Sequence, residues 1–109
     1  MIAYFIGKVS VTSPGTPVQV TSDLSIRCAK ILFAVDTANT GKTYLGGAGM
    51  SKTTRAGVGR AFTQPPASGP QDGLLISERP GEGNSLRPAD YWIDADNAND
   101  GLLVTYWIG

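Results

Sequence analysis

From Ile26 to Gly47 the chain sets a long apolar, β-branched run against a shorter one, with a polar break between them. The first run reads Ile-Arg-Cys-Ala-Lys-Ile-Leu-Phe-Ala-Val-Asp, the break Thr-Ala-Asn-Thr-Gly, and the second Lys-Thr-Tyr-Leu-Gly-Gly. Apolar content alone would suit a helix, but the β-branched residues and the Asn-Thr-Gly that follows favour a strand. Alternation places Cys28, Lys30, Leu32 and Ala34 on one side and Ala29, Ile31, Phe33 and Val35 on the other. The second set is expected to face a core, with the side bearing Lys30 turned partly to solvent. The two runs are expected to pair as an antiparallel hairpin.

The rest of the chain is cut into similar short pieces, because 14 glycines and seven prolines fall between apolar runs rather than inside them. Ala3–Thr12 carries Val9 and Val11 on one face, and Ser13-Pro14-Gly15 is ordered as a type II turn prefers. Pro17–Ser22 repeats the pattern with Val18 and Val20, and Gly73–Ser77 holds Leu-Leu-Ile. After turns from Glu78 to Pro88, Asp90–Ala95 and Leu102–Ile108 read as two last strands joined by a turn at Asp96–Gly101. The expected fold is therefore all-β: one antiparallel β-sandwich or jelly-roll-like domain over residues 1–109, with about seven to eight strands. Residues 1–8 suit either an N-terminal arm or an edge strand. Residues 48–72 are small, polar and rich in Gly and Pro, and are expected to form one long loop, as a surface insert or an interaction loop.

A length of 109 residues has room for one domain, which buries roughly 65% of its unfolded surface. Lys plus Arg equals Asp plus Glu, so the formal net charge is zero. That balance argues against nucleic-acid binding, which needs a basic face to displace counterions, and against long-range steering of charged substrates. The apolar start is short for a signal peptide and lacks a basic flank, and no stretch is long enough for a membrane helix. A chain without leader or membrane partner is expected, and the lone Cys28, in an apolar run, fits a buried side chain in a reducing cytoplasm.

Three patterns invite chemistry. Gly41-Lys42-Thr43 is a fragment of a phosphate-binding loop, but Asp36 stands where the leading Gly belongs and Tyr44-Leu45 continues a strand instead of opening a helix. From Asp94 to Gly101 oxygen ligands alternate as in a calcium loop, yet Ala98, Asn99 and Thr105 occupy positions that need a ligand, Gly and an acid. A hairpin turn with positive φ at Asp100-Gly101 is the preferred reading there. With no His there is no Ser-His or Cys-His pair and no imidazole metal site, so neither enzyme activity nor a cofactor is expected.

What remains is surface. Tyr91 and Trp92 should point to opposite faces, as should Tyr106 and Trp107, so one of each pair is expected outside the core. The candidate contact residues are Ile2, Tyr4 and Phe5 of the apolar N-terminus, Met50, Lys52, Arg55, Arg60 and Phe62 of the long loop, and Trp107.

The order Ile31-Leu32-Phe33-Ala34, Asn39-Thr40-Gly41, Tyr44-Leu45-Gly46, then Leu86, Asp90-Tyr91-Trp92-Ile93-Asp94-Ala95 and Asp100-Gly101-Leu102-Leu103-Val104-Thr105-Tyr106 resembles small virion proteins of tailed bacteriophages. The likeness covers most of residues 9–109, and the excursion from Ala48 to Pro70 departs from it. It is similar to capsid decoration, or cement, proteins. The resemblance implies a β-sandwich made in the host cytoplasm, a homo-oligomer with a trimer favoured, and the major capsid protein as partner on the virion surface. Other classes it leaves open are a head-fibre base or tail component, and a carbohydrate-binding module using Trp92 or Trp107.

Overall fold

The computed structural model describes residues 1–65 and 71–109. Among the described residues eight strands form: β1 (Ile2–Ser10), β2 (Val18–Gln19), β3 (Lys30–Val35), β4 (Thr43–Gly46), β5 (Val58–Phe62), β6 (Gly73–Ser77), β7 (Trp92–Ala95) and β8 (Gly101–Ile108). They make two four-stranded antiparallel sheets, ordered β1-β8-β3-β6 and β2-β7-β4-β5. The pairs β1·β8, β2·β7, β3·β6 and β4·β5 are those of one long hairpin with its tip between β4 and β5. Rolled up so that its rungs alternate between two layers, such a hairpin is a jelly roll.

That rolling corrects the expected hairpin of residues 26–47. β3 and β4 lie in different sheets, and β3 pairs instead with β6 and β8. The Asn-Thr-Gly break is a crossing between layers. Asn39 is buried there, donating from Nδ2 to the Gly101 carbonyl (2.7 Å) and accepting from the Gly101 amide (3.0 Å). Asp100, also buried, accepts from the amides of Thr40 (3.0 Å) and Gly41 (2.9 Å). The Asp96–Gly101 segment likewise crosses layers, and its positive φ falls on Asn99 (70°) rather than on Asp100 or Gly101. Two crossings are thus tied to each other by side chains that would otherwise be stranded polar groups.

The core lies where the alternation of the long run places it. Ile31, Phe33 and Val35 are buried and pack with Val9, Val11, Leu45, Phe62, Ile93, Leu102 and Val104. Cys28 is fully buried, and desolvation, helped by the nearby Glu78 charge, pushes its thiol up to about 11. Each tyrosine–tryptophan pair splits between faces. Tyr91 meets the Phe33 ring at 5.4 Å and Tyr106 packs on the core, while Trp92 and Trp107 alternate outward.

The long loop is the second correction. β5 forms inside residues 48–72, pairs with β4, and sends Phe62 into the core. The sparse apolar content hid a strand whose short run, Val-Gly-Arg-Ala-Phe, is broken by a bulge facing Leu45 and Gly46. Residues 66–70 of that expected loop lie outside the described residues.

Candidate interaction surface

The two outer faces of the sandwich are treated differently by the chain. Over the sheet that contains β4, residues 47–57 fold back and cover it. Met50 is buried and packs at Gly46, where a Cβ would also strike the Gly57 carbonyl. Tyr44 is buried beneath the Arg55 guanidinium, 4.9 Å from its ring, and donates its hydroxyl to Asp96 (3.0 Å). Burial and that carboxylate raise the Tyr44 hydroxyl above its ordinary range. Lys52 donates to the Ala95 carbonyl (2.7 Å) and lies 3.4 Å from Asp96. Next to Ala95 on β7, Asp94 is buried and accepts from the Gly15 amide (3.0 Å), pinning the 13–16 turn to the same face.

Met50 and Phe62, expected to meet a partner, are therefore interior residues. Lys52 and Arg55 serve the fold of their own loop, at the cost of a left-handed φ of 67° at Arg55. Arg60 reaches from β5 to Asp72, just ahead of β6 (2.9 Å), and clasps the two layers at one end of their open edge.

The outer face of the other sheet carries no such cover among the described residues. Registers across it give three rows. One runs Leu75, Leu32, Thr105, Phe5; a second Gly73, Ala34, Leu103, Lys8; a third Ser77, Lys30, Trp107, Ala3. Phe5 is 79% exposed, Leu75 51% and Leu103 40%. Lys8 leans to Asp36 (3.0 Å), whose carboxyl is held below its ordinary range by that ammonium and by the Ala38 amide. What is left in the middle is an apolar surface rimmed by two lysines, the arrangement typical of a protein contact.

β1 borders this face. The N-terminal residues form an edge strand of their own sheet, with Ile2 (62% exposed) and Tyr4 (42%) on its inward side and Phe5 on its outward side. Tyr4 stacks on Tyr106 at 5.3 Å. A bulge at Ile6, with Gly7 at φ 88°, ends its regular part. Of the nine expected contact residues, Phe5 and Trp107 lie on this face, while Ile2 and Tyr4 sit on the inward side of the same edge strand. Leu32, Leu75 and Leu103 are not among those nine: Leu32 lies on the side of its strand expected to turn partly to solvent, and Leu75 and Leu103 sit in Leu-rich runs with no charged residue to mark an outer face. No family model, curated protein or solved structure matches the chain.

Proposed function

We propose that this chain is a capsid decoration protein of a tailed bacteriophage, which docks on the outer shell and stabilises it by protein–protein contact. The observation that carries the reading is the bare apolar face built on Phe5, Leu32, Leu75, Leu103 and Trp107, opposite a face that the chain covers with its own loops. A surface of that kind is expensive to leave in water and is kept where a partner removes it. The resemblance over most of residues 9–109 supports the major capsid protein as the partner and a trimer as the assembly. Several copies of a modest face on one oligomer would bind a repeating shell far more tightly than one copy.

Head-fibre base and tail component use the same kind of contact and differ in copy number. Immunogold labelling of virions encoding the chain separates them: label over the whole shell supports decoration, and label confined to one vertex or the tail overturns it. A carbohydrate-binding module would have to use Trp92 or Trp107 singly, because they lie on opposite outer faces and cannot share a stacking platform.

A further inference from the structure

We infer that β1 of one copy adds to the free edge of β6 in a second copy, head to tail, and seals the cleft between β5 and β6. Among the described residues four strand edges are open to such pairing, β1, β2, β5 and β6, and the other three differ sharply from β1. β2 has two residues behind Pro17, and β5 is bulged and carries Arg60. β6 is short and uncharged. β1 is nine residues long, and from Met1 to Gly7 it holds no Lys, Arg, Asp or Glu. An exposed, apolar, uncharged edge is a template for another strand.

The acceptor is equally specific. On the β6 side the sandwich is incomplete: a cleft of about 260 Å³ opens between the layers, lined by Leu74 and Ile76 on one side and by Leu45, Gly46 and Gly59 on the other. Leu74 and Ile76 point inward yet remain half-exposed, as core residues lacking a neighbour do. Among the described residues no strand pairs with the far edge of β6.

Direction and register both fit. Strands alternate across β1-β8-β3-β6, so a β1 placed beyond β6 in the same orientation continues the antiparallel order. Setting Ile2 opposite Ile76 puts Ala3 opposite Leu75, Tyr4 opposite Leu74 and Phe5 opposite Gly73. Ile2 and Tyr4 then turn toward the cleft, and Phe5 covers the glycine from outside. The pairing uses only the regular part of β1 ahead of its bulge. A heterologous contact of this kind closes into a ring or extends as a filament, and the bare outer faces of all copies then lie side by side. The pairing is a property of the purified chain and is tested without any shell.

Directly opposite residues on antiparallel strands lie about 4.5–5.5 Å apart, within reach of a disulfide. Ala3→Cys and Leu75→Cys are prepared as separate proteins, mixed and oxidised, with buried Cys28 as a silent background. The expected result is a covalent heterodimer in the mixture and little product from either variant alone. Self-linking of the Ala3→Cys protein at equal yield would mean a symmetric β1–β1 contact and would overturn the proposal. Wild-type protein sedimenting as a monomer across its whole soluble concentration range would overturn it as well. A loss of association in Phe5→Arg, with an unchanged circular dichroism spectrum, is the expected control.

Discussion

At the scale of single residues, the polar groups that matter are those joining the layers. Asn39 and Asp100 lie on two separate crossings and satisfy each other's backbone through four short contacts. Asn39→Ala leaves the Gly101 amide and carbonyl buried without partners, and a loss of about 2–3 kcal/mol is expected in urea unfolding. Asp100→Asn keeps one acceptor and should lose less than Asp100→Ala. The Lys8–Asp36 pair is worth little, about 0.2–1 kcal/mol, because both groups are partly exposed. Its pH dependence has a definite sign. Asp36 has a depressed pKa in the folded state, so its contribution is present above the unfolded carboxyl's range, near pH 4, and disappears as pH falls through the folded value. The stability gap between wild type and Asp36→Asn should therefore close on acidification. Cys28, with its thiol pushed up and no exposed surface, should react with a thiol reagent only after denaturant is added.

At the scale of elements, β5 decides how the long excursion is understood. Phe62→Ala removes a fully buried ring and should cost about 3–5 kcal/mol in thermal or urea unfolding. The same change would leave stability untouched if Phe62 served a partner from a loop. Arg60→Ala breaks the clasp to Asp72 at the open edge and should have a much smaller effect on unfolding. The contrast between these two variants separates a strand that is part of the core from one that is merely tethered. Residues 47–57, by comparison, are held to their sheet by Met50, Lys52 and Arg55, and act as a lid over one face of the sandwich.

For the whole molecule, the asymmetry between a covered and a bare outer face is the property with functional consequence. Leu103→Asp and Leu32→Asp place charges in the middle of the bare face without touching the core. Both should abolish attachment to capsid shells while leaving the melting temperature within a few degrees of wild type. Equivalent changes on the covered side, such as Arg55→Gly, should leave attachment intact. If attachment survives both aspartate variants, the face is not the docking surface, whatever the partner. The zero net charge means that copies of the chain would approach one another without long-range repulsion to overcome.

The sequence by itself determined that the chain is all-β, a sandwich or jelly roll, and which side of the Lys30–Val35 strand faces inward. Period-two alternation in Lys30–Val35 and Gly101–Ile108 is a local signal, set by side chains two apart on one strand. Only the tertiary structure decided which strands are partners. Neighbours in sequence lie in opposite layers at nearly every step, so the Asn-Thr-Gly break that reads as a hairpin is a crossing, and β3 finds its partner β6 more than thirty residues further on. Pairing over that distance depends on how the whole hairpin rolls, which leaves no mark in any short window. For the same reason the bare face was invisible: whether Leu32 or Leu103 is covered depends on loops that fold over one sheet and spare the other.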